Sequence, residues 1–313
     1  MRFLVVGAGA TGGYFGGRML EAGCDVTFLV RPARAERLAA AGLTIASSAG
    51  DVHLPAPPTV LAADLRAPFD CVLLSCKAYD LPGAMESIAP AVGPHTLVLP
   101  LLNGMRHLDV LDARFSAERV LGGSCFISAK LDEDGRIRHI GDIHRLVFGD
   151  RAGGRSARVE AVAAALAGVK FEAAPSERIL LEMWEKWMFL AALAGTTCLA
   201  RAAVGDFVTA GGADLAAALL DECRAIAAAA GYPPRPDVLA AAAKRLANPK
   251  SPVTASMLDD VERRGRTEAD HILGDLLQRR QGAPDGDRSL LRLAYVAVKA
   301  AEARAVRESA GAR

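Results

Sequence analysis

The residues of this chain best suited to chemistry begin at its seventh position. Gly7-Ala8-Gly9-Ala10-Thr11-Gly12 spaces its glycines as G-x-G-x-x-G, directly after the apolar run Phe3-Leu4-Val5-Val6. A glycine at 7 lets the chain turn sharply out of a strand. One at 9 removes the Cβ that would hold a pyrophosphate away, and one at 12 lets the next helix pack closely on a sheet. The first amides of that helix then face the phosphates. A second apolar run, Val26-Thr27-Phe28-Leu29-Val30, ends in Arg31-Pro32-Ala33-Arg34, with no acid before Glu36. An acid there would take the ribose 2′-hydroxyl of NAD and repel a 2′-phosphate. Arg31 instead offers a planar, permanently charged fork suited to that phosphate. Gly7 to Gly12 with Arg31 therefore predict a dinucleotide site that takes NADP(H) rather than NAD(H). Arg34 and Arg37 either add to its positive field or are surface charges.

Four further positions carry usable groups. Lys77, in Cys76-Lys77-Ala78-Tyr79-Asp80, is either a cofactor contact that can also stabilise negative charge, or a loop cation. Asn103, in Leu102-Asn103-Gly104-Met105, has a donor and an acceptor with which to orient a ligand, or it caps a helix. Lys186 lies between Trp184 and Trp187. It either snorkels or is partly desolvated, which would lower its pKa from ~10.4 and improve it as a proton donor near neutrality. Glu268, in Arg266-Thr267-Glu268-Ala269-Asp270, reads by itself as a solvated helix carboxylate.

The elements that must position these groups follow from apolar periodicity. Strands are predicted at 3–6, 26–30, 43–46, 71–75 and 96–100, alternating with helices at 10–22, 34–41, 81–89 and 105–113. Continuous apolar strands such as Cys71-Val72-Leu73-Leu74 fit a parallel sheet buried on both faces. Segments 43–47 and 52–54 read as a hairpin at the edge of that sheet. Short β-like pieces at 120–130, 136–140 and 145–148 read as its antiparallel extension, followed by a helix at 155–167 and a strand at 169–173. Ser176 is a candidate N-cap. Beyond it only helices are predicted, at 177–199, 213–230, 236–247, 253–261, 266–281 and 288–306, with breaks at Gly205, Gly211-Gly212, Gly231 to Pro234, Asn248-Pro249 and Gly282-Ala283-Pro284. The fold class is thus α/β: a Rossmann-type doubly wound domain over 1–175 and an all-helical domain over 176–313, with a cleft between them as the default substrate site.

Bulk properties narrow the function. The 313 residues suit two domains. Net charge is +1, from 37 basic and 36 acidic residues, with no like-charge block. That balance argues against nucleic acid or a membrane surface as partner. The 6 cysteines show no C-x-x-C spacing, so reduced thiols are expected and a metal site is not. With no leader visible, a cytoplasmic location is expected.

Taken in order, GAGATG, Arg31, CKAYD, LNGM, EMWEKW, SMLDD and RTEADHILG resemble the ketopantoate reductase family, the 2-dehydropantoate 2-reductases, over nearly the whole chain. The resemblance implies NADPH-dependent reduction of a 2-oxo acid to a 2-hydroxy acid, with a place in pantothenate biosynthesis. It implies that Lys186 protonates the new alkoxide, that Asn103 contacts cofactor and substrate, and that Lys77 lies at the cofactor. By the same resemblance Glu268 closes over the cofactor and Ser256 binds the substrate carboxylate. Four positions depart from it. The asparagines that bind substrate four and eight residues after the lysine are here Leu190 and Ala194, and two further polar positions are Val204 and Val253. An apolar side chain cannot replace an amide's hydrogen bonds, each worth roughly 1–3 kcal/mol when its partner is left buried and unpaired. The cofactor half is therefore intact and the substrate half rewritten, which favours a 2-oxo acid more apolar than ketopantoate. Arg201 is either a carboxylate clamp or a helix C-cap. A β-hydroxyacid-type dehydrogenase and a non-catalytic NADP(H)-sensing protein stay open as alternatives, and so does a homodimer.

Overall fold

A computed structural model of the chain describes residues 1–280 and 288–311. It divides into two compact units, one of Met1–Leu102 and His107–Ile179, the other of Asn103–Arg106 and Leu180–Arg313. The first unit alternates β1 (Arg2–Val6), α1 (Ala10–Glu21), β2 (Asp25–Leu29) and α2 (Pro32–Ala41), then β3 (Leu43–Ala46), β4 (Val52–Leu54) and β5 (Thr59–Val60). It continues with β6 (Cys71–Leu74), α3 (Leu81–Ile88), β7 (Leu97–Pro100), α4 (Arg106–Phe115, whose first residue groups with the second unit), β8 (Gly122–Leu131), β9 (Ile137–Gly149), α5 (Ala157–Ala165) and β10 (Glu172–Pro175).

The main sheet runs β5-β2-β1-β6-β7, all parallel. β1, β6 and β7 are buried almost throughout, because α-helices cover both faces. This is a Rossmann-like doubly wound sheet. The direction of winding reverses between β1 and β6, so the loops after those two strands flank its topological switch point.

Two expectations need correction here. The 43–47/52–54 hairpin is not at the edge of the main sheet, and the later β-pieces are not its extension. They build a second sheet, ordered β10-β9-β3-β4, with β8 antiparallel to β9. The pieces at 136–140 and 145–148 are one long strand, β9. A single parallel bridge, Val98 to Val120, links this region to β7. The place beside β2 goes instead to the two-residue β5, which the apolar pattern does not reveal.

α1 packs against both sheets. A Cβ on Gly16 would come within 2.6 Å of the Phe28 ring in the main sheet, and one on Gly17 within 2.8 Å of Ile45 in the second. Glycine on both faces lets α1 fit between the two sheets.

The second unit is helical: α6 (Ile179–Ala200, its first residue grouping with the first unit), α7 (Val204–Phe207), α8 (Ala213–Ala229), α9 (Pro236–Leu246), α10 (Ser256–Glu262), α11 (Asp275–Gln278) and α12 (Leu290–Gly311). π-helical turns occupy Val208–Gly212 and Asp270–Gly274. The expected helix at 266–281 therefore starts later, and starts as a π-turn. Gly205 lies inside α7 rather than at a break, whereas Gly211 does kink the chain, at φ +93°. The Ser176 hydroxyl accepts from the Arg178 amide (3.1 Å), just ahead of α6. The break at Gly282-Ala283-Pro284 lies outside the described residues. Among the described residues no single helix is long and apolar enough to cross a membrane.

Candidate active site

Two groups of residues, one in each unit, carry the candidate chemistry. In the first unit, Gly7 turns out of β1 at φ +92°, and its amide donates to the Leu29 carbonyl (2.9 Å). A Cβ on Gly12 would overlap the Gly7 carbonyl and the Ser75 hydroxyl, so close approach of α1 to the turn requires glycine there. Ser75 donates to the Val6 carbonyl (2.7 Å) and joins the loops after β1 and β6. Around Gly9 nothing lies within 4 Å of where a Cβ would be. Ala8 is buried, Ala10 and Thr11 are half-buried, and the first turn of α1 carries no acid. The α1 amides thus open onto unobstructed space at the positive end of the helix dipole, which fits a pyrophosphate.

Arg31 is 83% exposed and only loosely paired with Asp80 (3.3 Å), so its fork can be shared with a ligand. Lys77 is half-buried at the entrance to the short turn Ala78–Asp80. Arg34 is a structural surprise. Its Nε donates to the Ala8 carbonyl (3.0 Å), so it braces the glycine turn instead of lying free on the surface. Burial, then the neighbouring Arg37, pulls its pKa down.

In the second unit, Asn103 lies ahead of α4, which begins at Arg106, so it is not that helix's N-cap. Gly104 turns at φ +78°. The turn lies against His271 of the Asp270–Gly274 π-turn: a Cβ on Gly104 would be 3.0 Å from the His271 carbonyl and from ring Cδ2. The His271 ring also hydrogen-bonds the Asn103 backbone. Glu268, three residues ahead, is buried, and the Thr267 amide and hydroxyl beside it both donate to Glu302 of α12 (2.7 Å each).

Lys186 is half-buried on α6 between Trp184 and Trp187, which are 2% and 1% exposed. The Trp187 indole donates to the Ile272 carbonyl (2.8 Å), tying α6 to the same π-turn. Glu185, buried beside Lys186, accepts from the Arg235 amide (2.8 Å), Nε (2.9 Å) and Nη2 (2.5 Å). The segments bearing Asn103, Lys186 and Glu268 therefore converge on one π-helical turn.

The other candidates lie farther along α6. Leu190 is half-buried and Ala194 buried. Thr197 accepts from the Ala255 amide (3.3 Å) and so holds the start of α10, where Ser256 is exposed. Val204 is buried, its amide donating to the Val253 carbonyl (3.0 Å), while the Val253 side chain is exposed. Arg201 is exposed and left-handed (φ +53°), and the Ala202 amide returns to the Thr197 carbonyl (3.3 Å). That backbone pattern ends α6 as a Schellman cap.

Residues 3–153 match the ketopantoate reductase PanE/ApbA family, and residues 178–284 match its C-terminal part. The chain belongs to the ketopantoate reductase family. It is 40% identical over 280 residues to the uncharacterized oxidoreductase YkpB of Bacillus subtilis, covering 89% of this chain and 92% of that one. It is 29% identical over 279 residues to a 2-dehydropantoate 2-reductase of Archaeoglobus fulgidus, covering 89% and 90%. The crystal structure of 2-dehydropantoate 2-reductase from Geobacter metallireducens superposes with a TM-score of 0.86 at 26% identity, over 96% of this chain and 100% of that one.

This ketopantoate reductase family member is thus an oxidoreductase, and its family implies a nicotinamide cofactor and a small-molecule substrate. Sequence reasoning missed Glu185, Arg235 and His271, and it missed the bracing role of Arg34, which it had weighed only as a field or surface charge. Each acts through a partner distant in sequence, so no local spacing betrays it. The only available hint was position, since Glu185 and His271 lie inside the quoted runs EMWEKW and RTEADHILG.

Proposed function

We propose that this protein reduces a 2-oxo acid to a 2-hydroxy acid with NADPH, and that its substrate is more apolar than ketopantoate. In this reading residues 1–175 hold the cofactor and residues 176–313 supply the proton. The observation that carries it is the convergence of the Asn103, Lys186 and Glu268 segments on the Asp270–Gly274 turn.

Bound NADPH would supply the hydride to the keto carbon. The amides at the start of α1 and the bare backbone at Gly9 would hold its pyrophosphate, and Arg31 its 2′-phosphate, with Lys77 beside it. Asn103 would orient the substrate carbonyl, and Ser256 its carboxylate. As negative charge grows on the carbonyl oxygen, the Lys186 ammonium stabilises it and donates a proton from Nζ. Glu268 would hold the neighbouring groups in place. Leu190 and Ala194 would line the substrate's far end, where apolar side chains reward an apolar substituent.

The test is a panel of 2-oxo acids, ketopantoate among them, assayed by nicotinamide absorbance with NADPH and NADH side by side. Turnover with NADPH that collapses in Lys186→Ala supports the reading. Equal use of NADH would remove the role of Arg31. Ketopantoate turned over as fast as bulkier apolar acids would remove the substrate assignment. NADPH binding with no turnover on the panel would favour a sensing protein.

A further inference from the structure

We propose that His271 is a positioning residue for Asn103. The inference rests on the reductase reading for its kinetic consequence, though its structural half stands without it. Asn103 and Gly104 form a turn whose conformation needs support from outside, because Gly104 is left-handed and without a side chain to anchor it. The support visible in the second unit is His271. Its ring lies with Cδ2 and Nε2 3.0 Å and 3.2 Å from the point where a Gly104 Cβ would be. It hydrogen-bonds the Asn103 backbone, and a histidine N–H meets a backbone carbonyl there as donor to acceptor.

His271 is buried, and three charged groups act on it besides the Asn103 backbone. Burial lowers its pKa, as does Arg106; Glu268, Asp275 and the bond to Asn103 work the other way. The balance leaves a neutral ring with a single N–H, suited to one fixed bond rather than to carrying charge.

His271 itself is held by its own element. It sits in a π-turn, whose widened backbone is a frequent feature of functional sites, and the adjacent Ile272 carbonyl is fixed by the Trp187 indole. One element thus touches the Asn103 turn with a side chain and α6 with a main-chain carbonyl. His271 fixes where the Asn103 amide presents itself relative to Lys186, without touching substrate.

The experiment combines amide hydrogen exchange with kinetics on the whole protein. His271→Phe keeps a ring and removes the donor, while His271→Gln places an amide near the position of Nε2. Expected for His271→Phe is faster exchange confined to residues 102–106, with NADPH affinity held within about twofold and kcat/KM for the best 2-oxo acid down about 10- to 100-fold, the scale of an ångström-level misplacement. His271→Gln should recover most of that loss. In an Asn103→Ala background, His271→Phe should add little, because the group it positions is already gone.

Unchanged exchange at 102–106 in His271→Phe, or losses from His271→Phe and Asn103→Ala that simply multiply, would overturn the proposal. If the native protein turns over no 2-oxo acid, the reductase reading fails instead, and the exchange data still decide the role of His271.

Discussion

Replacing Arg235 by leucine is the sharpest probe of the helical unit. Glu185 is 4% exposed, and its carboxylate accepts from the Arg235 amide and guanidinium at 2.5–2.9 Å. Arg235→Leu removes the guanidinium bonds and leaves a buried charge with the main-chain amide alone. Breaking a fully buried pair from one side costs about 3–5 kcal/mol. Arg235 is itself 40% exposed, so water can enter the gap, and a cost of about 2–3 kcal/mol is the better figure. For a unit of this size that is a fall in Tm of roughly 6–9 °C, at about 3 °C per kcal/mol. Thermal unfolding followed by circular dichroism measures it. The decisive control is Glu185→Met added to Arg235→Leu. Apolar replacement of both partners is often neutral, so the double variant should recover most of the loss. Arg235→Leu melting within 1–2 °C of the native protein (about 0.5 kcal/mol or less), or a double variant less stable than the single one, would refute the reasoning. Since Glu185 adjoins Lys186 on α6, kcat should fall in Arg235→Leu and return in the double variant.

Gly104→Ala places a Cβ in a left-handed turn and 3.0 Å from His271; left-handed backbone costs about 1–2 kcal/mol, so thermal unfolding should show at least that loss and steady-state assay a lower kcat/KM. Leu190→Asn restores an amide where the family resemblance implies one, and should raise the kcat/KM ratio of ketopantoate to the best apolar 2-oxo acid by about tenfold or more. His144 should make folding weaken in acid: burial first, then His139 and Arg18, push its pKa below the ordinary 6.5, against the pull of Asp142. In that window the unfolded chain binds more protons than the folded one, so stability is lost as pH falls below about 6.5. Denaturant melts across pH should show that slope, and His144→Gln should reduce it, the buried His271, lowered in the same direction, keeping the remainder.

The parts of the fold legible in sequence are those whose signal is local. β1, β6 and β7 announce themselves as unbroken apolar runs because helices cover both of their faces, and the Gly7 turn by the spacing of its glycines. The second sheet was not legible. β3 pairs in parallel with β9 through Ile45–Ile137 and Ala46–Arg138, a partner far along the chain that no local pattern in residues 43–46 announces. β5 is too short to show periodicity. The π-turn at Asp270–Gly274 differs from an α-turn by backbone hydrogen bonding that side-chain types do not encode, so a continuous helix was the natural reading of RTEADHILG.

The candidate site divides in the same way, and the division bears on how specificity could change. The candidate dinucleotide-binding features (the Gly7 turn, its Arg34 brace and Arg31) are held by contacts within the first unit. Asn103, although it lies between β7 and α4, groups with the helical unit, together with Lys186 and Glu268. The groups that the proposed reduction would use as proton donor and carbonyl-orienting amide, and the acid beside them, thus share one frame, tied at His271 and Trp187. Leu190 and Ala194 lie one and two turns farther along α6 from Lys186, outside those ties. In the proposed reading, substitution there would alter what the substrate site accepts while leaving the bonds that hold the Asn103 and Lys186 segments. On that reading, leucine and alanine could stand at 190 and 194, where the family resemblance implies asparagines, without disturbing the proposed chemistry. They could do so only if the new substrate brings apolar surface to replace the hydrogen bonds it no longer makes.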